Sequence, residues 1–550
     1  MIPMTNMLLS LCLSVLGLLP AAAQETPEAL VQQGRALLAQ NKAAEALPLL
    51  ERADELSKHA LSTRIWVLRA WLQLGRINDA LDAIDKLAKT EKGPEIDYLY
   101  GMGFWFTAKD RMAQNAGGSI IGMNFADALA FLKKATAADP ARFSDAWLPL
   151  AESAWYAQDL PQGRAAAEKA CAAEPANAAA CQLLGQIAFS QYVGARADEA
   201  RKAEADAHAA AARAAFEKVE TLLAGSKETA DRVQRAQAHK QLGDLASWAK
   251  DRQAAAASYG KALGLDPNVV RLDELYPQIA GSFEKEFAEI FLETMEAAEK
   301  TFVATWGEEN AGDATLLWWL GWARMDQKQF EAAEKAFTGA AKKWPDYHNA
   351  WFFTGVCRYS RQDYAGAVEA IARHDKQNRD DLVATVQQNP VRYLAILDYL
   401  VDFCARTEAT VEAAKFSEVQ ALAAGKTSRY WNNAGLFWRD AGDGLRRSRD
   451  AADGKLAVQY YEAALKDYEK ALALEPEHPN YLNDTAVMLH YCLDREPERA
   501  KTLYQKSYER AVALLAKKDL SADDRALYEI ALRDSKNNLA KLEKGIKTQG

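Results

Sequence analysis

Catalysis in this 550-residue chain would depend on histidines, on a glycine-rich phosphate-binding turn or on a nucleophile motif. The seven histidines are scattered, and no two of them form the His-Glu-x-x-His arrangement that places two zinc ligands on one helix face. The glycine-rich run at 117–122 lacks the Gly-Lys-Ser/Thr ending of a phosphate-binding loop. No Gly-x-Ser-x-Gly turn occurs. The sequence therefore predicts that the protein is not an enzyme and uses no cofactor or metal.

Cysteine chemistry is the next possibility. Five cysteines follow the N-terminal leader described below, and this odd number leaves one thiol free or paired between chains. Two of them are ten residues apart and could lie on neighbouring helices, where an oxidising compartment would permit a disulfide. They could equally be buried as small apolar side chains. The sequence leaves both interpretations open for this pair, which is Cys171 and Cys181.

Aromatic side chains that could bind a ligand are concentrated in one stretch. Five of the 14 tryptophans lie between residues 318 and 351. Such rings hold apolar peptides or stack on sugar rings, and they also fill the core between helices. The candidates for a binding surface are Trp318, Trp322, Phe352 and Tyr359.

Amide side chains recur in pairs towards the C-terminus. Each pair occupies the same place in its helical segment, next to small residues. An amide both donates and accepts hydrogen bonds, which suits the backbone of an extended peptide. Asparagine could also simply be common at this position of the repeat. With two arginines that would add charge for an acidic ligand, the candidates are Arg429, Asn432, Asn433, Arg439, Asn483, Asp484, Asn537 and Asn538.

A repeated spacing predicts the elements that position these side chains. Gly321 is followed by Ala333, Phe337, Ala340 and Pro345 at intervals of twelve, four, three and five residues, and a second unit starts 34 residues after the first. Small residues allow two antiparallel helices to approach closely, larger side chains fill the grooves beside them, and proline ends the second helix. Because one helix pair cannot bury its apolar face alone, we expect the pairs to stack.

The spacing resembles that of the tetratricopeptide repeat family, as do Trp351-Phe352-Phe353-Thr354-Gly355 and the segment from Ala464 to Pro476. The resemblance covers most of the chain. It implies an all-α fold, an α-solenoid of stacked antiparallel helix pairs in a right-handed superhelix. It also implies that ligands bind on the concave face lined by the first helix of each pair, where related solenoids use asparagines to hold a peptide. The paired lysines and arginine of a carboxylate clamp are not recognisable.

Several segments depart from the repeat. Three units carry fifteen to seventeen extra residues between their two helices. The glycines in 109–124 predict a loop, whereas 194–211 and 442–459 predict lengthened helices. The stretches 271–309 and 380–426 lack a clean register, and we interpret them as degenerate repeats.

The predicted organisation is therefore a signal peptide at 1–23 and three blocks at 24–270, 271–378 and 379–550. The apolar run from Met7 to Leu19 is too short to span a bilayer, and three alanines follow it at 21–23. We therefore expect cleavage after Ala23 and a periplasmic or secreted protein, although an uncleaved anchor or a mitochondrial presequence would be an alternative.

The composition narrows the range of partners. The net charge is −9 and no basic stripe is present, which argues against nucleic acid. No later segment is apolar enough to be an integral membrane span. The sequence predicts a non-catalytic extracytoplasmic scaffold that binds a protein or peptide, and self-association stays open. The alternative is a glycan- or peptidoglycan-associated protein that binds through an aromatic groove.

Overall fold

The computed structural model describes residues 26–115, 117–307, 312–447, 450–517 and 519–547. Their regular structure is entirely helical, as the sequence predicts, and comprises α-helices α1 to α26 with a few short 3₁₀ and π segments. The predicted leader lies outside the described residues. The chain forms two compact units: the first unit ends at Leu245 and the second unit begins at Ala246. The predicted boundaries at 270 and 378 stay predictions.

The unit that ends at Leu245 consists of helix pairs. Each first helix packs against its own second helix, and α1, α3, α5 and α7 also pack against the first helix of the next pair. The first helices therefore form a layer of their own. The helices are α1 (Pro27–Ala39), α2 (Ala43–Leu56), α3 (Leu61–Gln73), α4 (Ile77–Leu87), α5 (Pro94–Ala113), α6 (Gly118–Ala138), α7 (Trp147–Tyr156), α8 (Leu160–Ala173), α9 (Ala178–Ala195), α10 (Lys202–Leu223) and the start of α11 (Thr229–Trp248).

The second unit, which begins at Ala246, contains the regular helix-pair repeats around Gly321 and Gly355. A Cβ atom at Gly321 would lie 2.9 Å from the Phe337 ring. The absence of a side chain at Gly321 therefore leaves the space that the Phe337 ring occupies. The helices after α11 are α12 (Arg252–Leu265), α13 (Leu272–Phe283), α14 (Phe287–Trp306), α15 (Ala314–Asp326), α16 (Phe330–Lys343), α17 (Asn349–Ser360), α18 (Tyr364–Gln377), α19 (Arg379–Gln388), α20 (Pro390–Arg406), α21 (Thr410–Ala424), α22 (Ser428–Arg446), α23 (Ala451–Leu474), α24 (Pro479–Val487), α25 (Pro497–Leu515) and α26 (Ala522–Glu543).

The turn between the two helices of a pair has a recurrent backbone conformation. Gln158, Lys250, Lys328 and Gln362 each have a positive φ between 60° and 65°. In several pairs the next residue caps the second helix. After Gln362, for example, Asp363 accepts a hydrogen bond from the Gly366 amide of α18. The left-handed residue reverses the chain and the cap supplies a partner for a free helix N–H.

The insertions lengthen helices at all three places. The prediction of a loop at 109–124 is wrong, because α5 continues to Ala113 and α6 already begins at Gly118. These two helices pack along each other, and that packing outweighs the local preference of glycine for turns. The lengthened helices that the sequence predicts for the other two insertions are present in α9, α10, α22 and α23.

Candidate functional site

The predicted aromatic candidates form a packed cluster in the second unit. The Trp318 and Trp322 rings on α15 stack with centroids 5.7 Å apart, and each meets the edge of Phe353 at about the same distance. The indole Nε1 of Trp318 donates to Asn349 Oδ1 at 3.0 Å. Both tryptophans are partly buried, so much of their ring surface is used in packing.

Phe352 is fully buried, and its prediction as a partner-binding residue is therefore corrected. Its ring packs edge-on against Tyr393, with centroids 5.0 Å apart. On α17 the side chains on this face point into the core between neighbouring pairs, and the sequence alone could not tell the two faces apart. Tyr359, two turns further along, is partly buried beside Tyr364 and Tyr399.

The predicted amide candidates are brought together in part. Asn538 Nδ2 on α26 donates to Asn483 Oδ1 at 3.4 Å, and Asn483 Nδ2 donates to Asp484 Oδ1 at 3.4 Å. The Tyr491 hydroxyl donates to Asn538 Oδ1 at 3.0 Å. These residues are called the amide cluster below. Much of its hydrogen-bonding capacity is used inside the protein.

The charged neighbours of the amide cluster change its electrostatics. Burial raises the pKa of Asp484 to about 6, while Arg439 and the amides of Asn483 and Asn432 oppose this rise. Arg439 donates to Asp440 Oδ1, and its partly buried position still leaves the side chain cationic. The remaining candidates are the exposed Arg429 and Asn537 and the partly buried Asn433.

A cleft of about 760 Å³ lies in the first unit, and sequence reasoning missed it. Its walls come from α1, α3, α5 and the beginnings of α7 and α9, which belong to the layer of first helices. Apolar and aromatic side chains alternate with arginines and amides. The lining residues used below are Val31, Gln32, Arg35, Trp66, Arg69, Trp105, Phe106, Asp145, Glu174, Asn177 and Ala179.

Aromatic rings orient the arginines of the cleft. The Arg35 guanidinium lies 4.2 Å from the centroid of the Trp66 ring and donates to the Arg142 carbonyl at 2.9 Å. The Arg69 guanidinium lies 4.9 Å from the centroid of Phe106 and donates to Gln73 at 2.9 Å. A guanidinium held against a ring keeps its planar edge fixed, which favours recognition of carboxylates and carbonyls.

Two carboxylates, Asp145 and Glu152, fix the positions of side chains in and next to the cleft. Asp145 accepts a hydrogen bond from the Tyr98 hydroxyl at 2.7 Å and lies 3.5 Å from Arg69 Nε. Burial raises the pKa of Tyr98 well above its ordinary value, and the Asp145 carboxylate raises it further, so the phenol stays a donor. The Trp105 Nε1 donates to Glu152 at 2.8 Å. The cleft is thus lined by side chains that are held in place before any ligand arrives.

No local motif signals this cleft, because its lining comes from five separate elements. One weak signal is present. Trp66 and Arg69 are three residues apart on α3, which places an aromatic ring and a cation on neighbouring turns of one helix.

Neither a metal-binding cluster nor a membrane-spanning helix occurs among the described residues. They contain no group of three or more His, Cys, Asp or Glu side chains that could hold a metal ion. None of the described helices is both long enough and apolar enough to cross a membrane.

Comparison with known proteins identifies the repeats. Models of the tetratricopeptide repeat match residues 37–102 in the first unit and 320–381 in the second. No curated protein matches the chain. Among solved structures, the Cut9–Hcn1 hetero-tetramer of the APC/C is similar, with 13% identity over 92% of this chain and 96% of that chain at a TM-score of 0.26. Yeast Tom70 is similar with 14% identity over 95% of this chain and 99% of that chain, at a TM-score of 0.20.

Proposed function

Because the chain is a tetratricopeptide repeat protein, we propose that it is a non-catalytic scaffold that holds a protein partner through a peptide segment bound in the cleft of the first unit. The observation that carries this proposal is the cleft itself, about 760 Å³ in volume and lined by successive first helices. This volume falls in the range of pockets that enclose a ligand.

The lining chemistry favours a peptide as the ligand. Val31, Trp105 and Phe106 offer partly exposed apolar surface to a side chain. Arg35 and Asn177 offer donors to carbonyl or carboxylate oxygens of the same ligand. An extended segment with one apolar side chain and acidic or backbone oxygens beside it matches this arrangement.

The amide cluster of the second unit is proposed as an additional polar contact surface. Asn433, Asn537 and Arg429 would provide its accessible edge, beside the internally bonded Asn483 and Asn538. Trp318, Trp322 and Tyr359 would provide an aromatic edge in the same unit. Joint replacement of Arg429, Asn433 and Asn537 should weaken partner capture while leaving helical content unchanged, and unimpaired capture would remove this surface from the proposal.

The proposed compartment is extracytoplasmic. It is supported by the apolar run from Met7 to Leu19 and the alanines that follow it. N-terminal sequencing of the protein from its native cell should begin at Gln24, whereas a chain that begins at Met1 would contradict export by cleavage.

Site-specific photocrosslinking tests the cleft. Gln32 lines the cleft, while its neighbour Gln33 on α1 is exposed but does not line it, so the two positions are a matched pair. A photoreactive residue at position 32 of the full chain should crosslink a partner protein in the native envelope. The same residue at position 33 should give little adduct.

The crosslinking experiment also separates the other possibilities. Equal yields from positions 32 and 33 would contradict binding in the cleft. Retention of the chain on insoluble cell-wall polysaccharide, lost with Trp318→Ala and Trp322→Ala, would instead support the glycan-binding alternative.

A further inference from the structure

Two buried cysteines meet at the connection between α8 and α9. Cys171 lies in the last turns of α8 and Cys181 in the first turn of α9, and both thiols are free. The Cys171 thiol donates to the Cys181 sulfur, with the two Sγ atoms 3.5 Å apart. A disulfide bond is about 2.05 Å long, so the sulfurs need to approach by only about 1.5 Å.

We propose that Cys171 and Cys181 are a dithiol modification site, which a disulfide donor such as oxidised glutathione converts into a disulfide that fastens the connection between α8 and α9 beside the cleft. The proposal concerns the thiols and the geometry of the cleft wall, and it does not depend on the ligand that the cleft binds.

The chemistry balances in two exchange steps. Cys171 is the more exposed of the two residues, at 9% against 1%. Its proton passes along the hydrogen bond to the Cys181 sulfur, and the Cys171 thiolate attacks one sulfur of oxidised glutathione. This forms a mixed disulfide and releases one glutathione thiolate. The Cys181 thiol gives its proton to the released glutathione thiolate and attacks the Cys171 sulfur, which breaks the mixed disulfide and releases the second glutathione thiolate. The two cysteines are oxidised by two electrons, which reduce one glutathione disulfide to two thiols.

The surroundings of Cys181 keep the reduced pair singly ionised near neutral pH. The hydrogen bond from Cys171 is the main cause that lowers the pKa of Cys181 to about 7; the Lys218 ammonium acts in the same direction, and burial opposes both. The same hydrogen bond raises the pKa of Cys171, so the pair shares one proton. A thiolate near neutral pH is the form that attacks a disulfide.

The other described cysteines do not share this arrangement. Burial raises the pKa of Cys357, Cys404 and Cys492 to about 12 in each case. These three thiols are therefore protonated at neutral pH, and they serve as internal controls. A metal site is not an alternative in the described part of the chain, because no third ligand stands close enough to the pair.

The disulfide would close a loop that forms part of the cleft wall. Glu174, Asn177 and Ala179 line the cleft, and all three lie between the two cysteines. Asn177 donates to Glu174 at 2.7 Å and, as the residue that caps α9, accepts from the Ala180 amide in the first turn of that helix. A covalent link between the ends of this segment restricts its opening. Oxidation would therefore stabilise one wall of the cleft.

The test uses the full folded chain and oxidised glutathione as the probe. After incubation near neutral pH, peptide mapping without reduction should find Cys171 linked to Cys181, with Cys357 and Cys404 still alkylatable. Amide hydrogen exchange over residues 174–180 should slow by about tenfold in the oxidised form relative to the reduced form. The matched control is the Cys171→Ser and Cys181→Ser double variant, whose exchange over these residues should not respond to oxidised glutathione.

Two results would overturn the proposal. One is that both thiols stay free, or that glutathione stays attached to one of them, while the chain is folded by circular dichroism. The other is unchanged exchange over residues 174–180 once the disulfide has formed. Neither result bears on partner binding in the cleft, because no partner is present in this experiment.

Discussion

Asp484 on α24 is a carboxylic acid whose environment opposes ionisation. Its pKa is raised to about 6, chiefly by burial; nearby Asp534 acts in the same direction, whereas Arg439 opposes the rise. In an unfolded chain the pKa of aspartate is about 3.9. The folded state therefore binds this proton more tightly, and it loses stability as the pH rises from about 4 through 6.

Replacement of Asp484 by asparagine removes this pH-dependent loss. Between pH 4 and pH 7 the wild type should lose about 1–2 kcal/mol of unfolding free energy more than the variant does. Asp467, whose pKa burial raises to about 7, contributes with the same sign in both proteins and cancels in the difference. Urea unfolding at several pH values measures the effect. Parallel stability curves for wild type and Asp484→Asn would show that burial does not disfavour the charged form.

At the scale of the helices, glycines decide how closely two elements approach. A Cβ atom at Gly260 on α12 would lie 2.4 Å from the Ala297 side chain and 2.9 Å from the Thr294 carbonyl of α14. Because a backbone atom cannot move aside as a side chain can, Gly260→Ala should lower the unfolding free energy by about 1–3 kcal/mol.

Gly444 on α22 provides the matched control for that substitution. It is exposed, and a Cβ atom there would meet nothing within 4 Å. Gly444→Ala should therefore leave stability unchanged or raise it by up to about 1 kcal/mol through helix propensity. Denaturant unfolding of both variants distinguishes a packing effect from propensity, and a stable Gly260→Ala protein would contradict the close approach of α12 and α14.

The spacing of small residues predicts the helix pairs because close packing depends on local residue types. Gly321 and Phe337 are sixteen residues apart, and the ring occupies the space that the glycine leaves. A prediction from local residue types is wrong for 109–124. There α5 continues to Ala113, α6 begins at Gly118, and the two helices pack along each other. Tertiary contacts there outweigh local propensity.

The candidate sites are less predictable than the helices for a geometric reason. Asn483 and Asn538 belong to residue pairs that the sequence places at matching positions of the repeat, and these two amides contact each other. The sequence cannot show that they bond to each other, nor that Phe352 faces the core. The cleft draws on residues from Val31 to Ala179, and their convergence follows only from the stacking of five elements.

At the scale of the whole molecule, the features divide between the two compact units. The unit that ends at Leu245 contains the cleft and the Cys171–Cys181 pair, and the unit that begins at Ala246 contains the amide cluster and the packed tryptophans. A repeat protein gains binding surface by adding units, each of which contributes a first helix. Each unit therefore contains one of the surfaces through which we propose that the scaffold binds.

The affinity of the chain for its crosslinked partner is the most direct measurement of that central claim. Gln32→Trp places a bulky ring in the cleft, and Gln33→Trp places the same ring on the neighbouring exposed position of α1. Titration calorimetry of the purified full-length proteins should show that Gln32→Trp raises Kd by about tenfold or more, which corresponds to about 1.4 kcal/mol. Gln33→Trp should bind as the wild type does. Equal Kd values for all three proteins would contradict the proposal that the cleft of the first unit holds the partner.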